Sequence, residues 1–242
     1  MTRQLLFKTI MMDSAPLAAG QSTYSFFTPS FENNPSVTAM VEGEALFWLL
    51  QNPQFRKGFF AEFFPQFPKA VRHFTGLVEP FTYHDKTPGD IDLLLVQPDL
   101  PHKAVAFEFK RIKVFREETG KEKINRIPYL AHGIEQSNGY HAIGFSQTYL
   151  VAIILDDGRH LETPNVMFRY NKDHALDEYV YNLRYSSDLH REVGVIYLRI
   201  NQMTGKHIDH SHSIGYCIDK PAIPVIQPTD ITSKIANLCA RK

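Results

Sequence analysis

The sequence predicts an α/β protein built on a mixed central sheet with helices on its faces. Compact apolar runs at 91–96, 104–109, 150–155 and 193–200 have strand length and end at turn residues. Stretches with helical signals precede them and fall between them. The composition, 43% hydrophobic and 21% charged over 242 residues, is that of a chain able to bury an ordinary globular core.

The elements follow in order. Residues 1–36 read as an N-terminal arm, because Ser14, Pro16, Gly20, Pro29, Asn33, Asn34 and Pro35 are turn and breaker residues. Ser36 can cap a helix over 37–51, which Asn52-Pro53 stops. A second helical stretch, 55–64, carries a phenylalanine stripe suited to a core. Residues 69–83 look extended, with Pro80 interrupting them. The runs 91–96 and 104–109 are strands joined by the turn Gln97-Pro98-Asp99-Leu100-Pro101-His102, hence a hairpin. Charged residues over 113–128 predict a connector, and a helix follows over 131–145. Strand 150–155 closes at Asp156-Asp157-Gly158, a polar insertion occupies about 159–190, and 193–200 is a further strand. One domain is therefore expected over 37–200, with a C-terminal extension, 201–242, packed on it and ending in a short helix.

Charge and cysteine content narrow the function. Twenty-six basic residues balance twenty-six acidic ones, so a polyanion must be met by a local patch. Residues 103–126 hold such a patch, with eight Lys or Arg against four Glu. Two cysteines, Cys217 and Cys239, do not make a disulfide scaffold. No apolar run reaches the roughly 18 residues of a membrane span, and Met1 to Met12 lack the apolar core of a signal peptide. The expectation is a cytoplasmic protein with no membrane partner.

The chemistry lies in the hairpin. Side chains alternate along a strand, so Glu108 and Lys110 share one face while Phe107 and Phe109 take the other. Asp92 alternates against Leu93 and Leu95 on the preceding strand. The hairpin can gather Asp92, Glu108 and Lys110 on one side of otherwise apolar strands, where unpaired charges are costly. A divalent cation compensates directly, and two carboxylates are the hard oxygen donors that suit Mg²⁺ or Mn²⁺. Such an ion polarises a phosphate oxygen and acidifies a bound water. Lys110 can hold or deprotonate that water, and it can also stabilise developing charge.

The segment Gly89-Asp90-Ile91-Asp92-Leu93-Leu94-Leu95, followed by Phe107-Glu108-Phe109-Lys110, resembles the PD-(D/E)XK nuclease superfamily. Gln136-Ser137-Asn138-Gly139-Tyr140 is similar to the Q-x-x-x-Y motif of its RecB-like and Holliday-resolvase-like members. No proline immediately precedes Asp92, a departure from the pattern. The resemblance covers about 37–155 and implies a restriction-endonuclease-like αβββαβ core. It implies a Mg²⁺-dependent nuclease in which Asp92, Glu108 and the Phe109 carbonyl hold the metal. It also implies a helix carboxylate acting through water, for which Glu42 and Glu44 are the candidates. Apolar neighbours at Ala45, Leu46 and Leu49 favour Glu42. Gln136 and Tyr140, four residues apart on one helical face, would approach the scissile phosphate.

The implied partner is nucleic acid, DNA ahead of RNA, with a homodimer expected if both strands are cut. The alternative is a catalytically silent module of the same fold that binds nucleic acid or a protein. The bland readings are a turn residue at Asp92, an edge-strand ion pair at Glu108 and Lys110, and an exposed helix face at Gln136 and Tyr140. His207, His210 and His212 form an H-x-x-H-x-H cluster for which a polar loop is favoured over a metal site.

Overall fold

The computed structural model describes residues 8–9, 23–28, 37–66, 70–81, 88–116, 119, 122–157, 180–203 and 211–241. They form an α/β architecture on a mixed, open sheet with helices on both faces. Nine strands contribute: β1 (Lys8–Thr9), β2 (Thr23–Thr28), β3 (Arg72–Leu77), β4 (Ile91–Val96), β5 (Val105–Arg116), β6 (Glu122–Asn125), β7 (Gln147–Asp156), β8 (Gly194–Met203) and β9 (Ser211–Lys220). Their spatial order is β1-β2-β9-β8-β7-β5-β4-β3, with β6 pairing the far end of β5. The pairs β5–β7 and β7–β8 are parallel and the rest antiparallel.

The helices are α1 (Glu42–Leu50), α2 (Pro53–Phe63), α3 (Tyr129–Ile143) and α4 (Thr229–Ala240). Helices α1 and α2 cover one face, where Leu46, Leu49, Phe55, Phe59 and Phe60 pack on Leu93, Leu95, Phe107, Phe109 and Val151. The phenylalanine stripe is core: the Phe55 and Phe59 rings stack 5.2 Å apart, and Phe59 lies 5.6 Å from Phe107. On the other face α3 buries Leu130 and Ile134 against Ile112, Leu150, Ala152 and Ile154. Tyr140 of α3 and Ile231 and Ile235 of α4 cover Leu94, Val96 and Ala106. Strands β4 and β7 are apolar on both sides because both faces are covered.

Five expectations need correction. The stretch 113–128 is not a connector: β5 runs on to Arg116 and β6 folds back on it, pairing Lys113 with Asn125 and Phe115 with Lys123. Ile112 and Val114 are buried and alternate with Arg111 and Lys113, a strand pattern that the surrounding charges obscured. The arm is not all loop, since β1 and β2 join the sheet and β2 pairs with β9 along its whole length. The predicted C-terminal extension supplies β9, which pairs with β8 inside the same sheet. The first helix begins at Glu42, after a 3-10 turn at Val37–Ala39, rather than at Val37. The end of the predicted insertion is part of the core, where Val180, Tyr181, Leu183 and Leu189 are buried. His207 and His210 lie outside the described residues, as does the side chain of His212.

Candidate active site

The strand pairing leaves an opening at one place. Strand β4 pairs with β5 over Leu93–Leu95, opposite Val105–Phe107, and β6 pairs with it only from Lys113 onward. Among the described residues no strand pairs that edge of β5 between these points. Its main-chain N–H groups need other acceptors, since a buried unpaired donor is costly. Two carboxylates serve. Asp92 Oδ2 accepts from Phe109 N at 2.7 Å, and Glu42 Oε2 accepts from Arg111 N at 2.8 Å. In an extended strand the N–H and C=O of one residue point to the same edge, so the Phe109 carbonyl opens on the same gap.

The sheet gathers the predicted residues there. Glu108 is 1% exposed and Lys110 is 7% exposed. The Lys110 ammonium donates to Glu108 Oε1 and stands 3.7 Å from Glu42 Oε1. Glu42, at the first turn of α1, thus reaches the cluster. Glu44 does not: its Oε2 accepts from Val41 N at 3.0 Å and closes the start of its own helix.

Helix α3 braces the cluster from above. Tyr140 is fully buried, and its hydroxyl meets Glu108 Oε2 at 2.5 Å and the Asp90 carbonyl. Gln136 Nε2 donates to the Pro88 carbonyl at 2.9 Å, and its buried Oε1 has no hydrogen-bond partner among the described residues. Both side chains therefore hold the segment entering β4, which sets the position of Asp92. Two glycines allow this closeness. A Cβ at Gly133 would stand 2.5 Å from Lys110 Cγ, and one at Gly139 would stand 2.5 Å from Pro88 Cβ. Gly139→Ala is expected to destabilise the fold by about 1–3 kcal/mol, read by urea denaturation, because a rigid proline must move. An unchanged midpoint would mean that α3 does not brace this segment.

Electrostatics mark the cluster as short of positive charge. Burial, opposed by the Phe109 N–H and by Lys110, pushes the Asp92 carboxyl up to about 7. Burial and the nearby Asp92 push Glu108 up to about 8. Burial alone would lower Lys110, but Glu108 and Glu42 outweigh it and hold the ammonium above its ordinary range. Burial, then Glu108, raises Tyr140. The Tyr140 hydroxyl has one proton and two oxygens within reach, and both contacts are satisfied when Glu108 carries a proton.

A divalent ion suits this donor set. Two carboxylates and a main-chain carbonyl are hard oxygen ligands, and a cation would relieve the repulsion that raises both acids. Asp92, Glu108 and the Phe109 carbonyl would hold it, with Glu42 close enough to act through water. No protein-family model, no curated protein and no solved structure matches the chain.

Proposed function

We propose that the chain is a metal-dependent nuclease that hydrolyses phosphodiester bonds, with DNA ahead of RNA as substrate. The observation that carries this reading is the convergence of Asp92, Glu108, Lys110 and Glu42 at the unpaired stretch of β5. The order α1, α2, β3, β4, β5, β6, α3, β7 contains the αβββαβ order of the superfamily that the motifs resemble, with α2 and β6 additional to it, and so supports a restriction-endonuclease-like core.

A bound Mg²⁺ or Mn²⁺ would supply Lewis acidity and an acidified water. The chain's own residues do the rest. Asp92 and Glu108 present oxygen ligands, and Lys110 places a fixed cation beside them. Tyr140 and Gln136 hold the approach to β4, acting as positioning residues.

The β5–β6 ribbon beside the site suits a polyanion. Arg111, Lys113, Lys123 and Arg126 lie along it, and Lys113 is held below its ordinary range by burial and then by Arg111 and Arg126. Cations crowded enough to disfavour one another's charge are relieved by phosphate. No helix among the described residues is long and apolar enough to cross a membrane. A cytoplasmic setting is part of the proposal.

The test is incubation of the full chain with plasmid, linear DNA and RNA in Mg²⁺ or Mn²⁺. Cleavage is expected, with loss of at least about 10²-fold in Asp92→Ala and Lys110→Ala. Glu42→Gln is expected to lower the rate and Glu44→Gln to leave it near that of the unaltered chain. Cleavage that survives both alanine substitutions rejects the assignment. Metal-independent binding without cleavage would make the chain a silent module that holds nucleic acid or a protein.

A further inference from the structure

A second cluster lies one residue beyond Tyr140. His141, near the C-terminal end of α3, meets His190 and Glu192 from the loop that leads into β8. One ligand atom from each of the three falls within 4.8 Å of the others. His141 Nε2 is 3.3 Å from Glu192 Oε2. Two ligands about 2.0–2.1 Å from one tetrahedral Zn²⁺ are about 3.3 Å apart, so this pair already has the separation required. The His141 and His190 rings stack with centroids 4.1 Å apart, so the third ligand is already alongside, and the exposed His190 ring must turn to bring its in-plane lone pair onto a shared ion.

The scaffold behind the cluster is built. Asn138, one turn before His141 on α3, clasps the loop by both ends of its amide. Its Oδ1 accepts from His190 N at 2.9 Å, and its Nδ2 donates to the Asp188 carbonyl at 2.7 Å. Competing contacts are weak. Glu192 N stands 3.4 Å from His190 Nδ1, and the exposed Arg191 guanidinium is 3.9 Å from Glu192 Oε1. An open cleft of ≈ 600 Å³, lined by Asn138, His141, Ser187, His190 and Arg191 among others, adjoins the cluster and leaves the remaining coordination positions to water.

We propose that His141, His190 and Glu192 form a Zn²⁺-class metal site that pins the loop before β8 to helix α3. Two imidazoles and a carboxylate select a borderline first-row ion over Mg²⁺, so this site and the carboxylate site under β4 take different metals. The ion clamps two segments 49 residues apart in the chain, on the helix that also carries Tyr140. The inference is independent of the nuclease reading.

Calorimetric titration of the metal-free full chain with Zn²⁺ tests it, alongside Co²⁺ absorption spectra. One equivalent is expected, with visible d–d bands of the Co²⁺ form. His190 is exposed, so His190→Ala keeps the fold, and it should weaken binding at least about tenfold, the loss that follows removal of even an outer partner of a ligand. His141→Ala should do the same, and Asp92→Asn should leave the Zn²⁺ equivalent intact. No stoichiometric binding, or binding unchanged in His190→Ala, overturns the site. Either result leaves Mg²⁺-dependent cleavage to be decided at Asp92 and Lys110.

Discussion

Asp92→Asn is expected to abolish Mg²⁺-dependent cleavage and, in EDTA at pH 8, to make the protein more stable than the unaltered chain. The two effects have one cause. The folded protein holds the Asp92 carboxyl at about 7 against an ordinary value of 3.8, chiefly through burial. An acid raised on folding binds its proton more tightly in the native state. Its ionisation therefore costs nothing below pH 3.8, costs progressively more up to about pH 7, and has its full cost above that. Asparagine removes the cost, and its Oδ1 can still accept from Phe109 N. The gain at pH 8 should be on the order of 2 kcal/mol, below the ceiling set by the whole shift because Asp92 is not wholly enclosed. At pH 4 the two proteins should melt together.

Magnesium reverses the comparison. Metal competes with protons for Asp92 and Glu108, so its stabilisation of the unaltered chain should grow from pH 6 to pH 9 and be absent in Asp92→Asn. Thermal melts across pH with and without Mg²⁺ measure all of this. An Asp92→Asn protein less stable than the parent at pH 8 would show that the carboxylate is a structural acceptor rather than a ligand held at a cost.

The site was more legible in the sequence than the sheet was. Period-two alternation alone placed Glu108 and Lys110 on one face, because flanking Phe107 and Phe109 leave no other register for a strand buried on both sides. The apolar neighbours Ala45, Leu46 and Leu49 favoured Glu42 over Glu44, and the helix start adds what Glu44 does instead. Only with α1 beginning at Glu42 does Glu44 become the residue that turns back to Val41 N. The roles of Gln136 and Tyr140 were not legible, since a helical face says which residues point together and not what they meet. Strand β2 was hidden because it finds its partner almost two hundred residues away, in pairings such as Tyr24 with Tyr216, whereas β9 also pairs with β8, its neighbour in sequence. Their sequences, Thr-Tyr-Ser-Phe-Phe-Thr and Ser-His-Ser-Ile-Gly-Tyr, sit among turn residues that mask the strand propensity. The cluster of His141, His190 and Glu192 left no local signal, because it joins a helix end to a loop 49 residues on.

Lys110→Met separates the lysine's charge from its stem. Methionine keeps an unbranched stem in the space that Gly133 leaves open, so packing on α3 survives and the ammonium is lost. Cleavage should fall at least about 10²-fold, as when one preorganised electrostatic contact is removed. The stability change should depend on pH. Without Lys110, Glu108 loses its nearest cation and its carboxyl rises beyond the present value of about 8. At pH 6 Glu108 holds its proton in both proteins, so its contribution is shared and the difference is small. Above pH 8 the parent ionises Glu108 beside an ammonium, whereas the variant must either keep the proton against rising pH or bury a bare carboxylate. The loss should therefore grow from pH 8 upward toward the about 3–5 kcal/mol of a broken buried pair. Lys110 itself is held above its ordinary 10.5 and stays a cation across this range. In the proposed mechanism it therefore positions charge rather than taking the proton from water. The cleavage rate of the unaltered chain should accordingly rise as the carboxylates ionise near pH 7 to 8 and then stay level to pH 10. A second rise between pH 9 and 10 that disappears in Lys110→Met would assign the lysine the role of base instead.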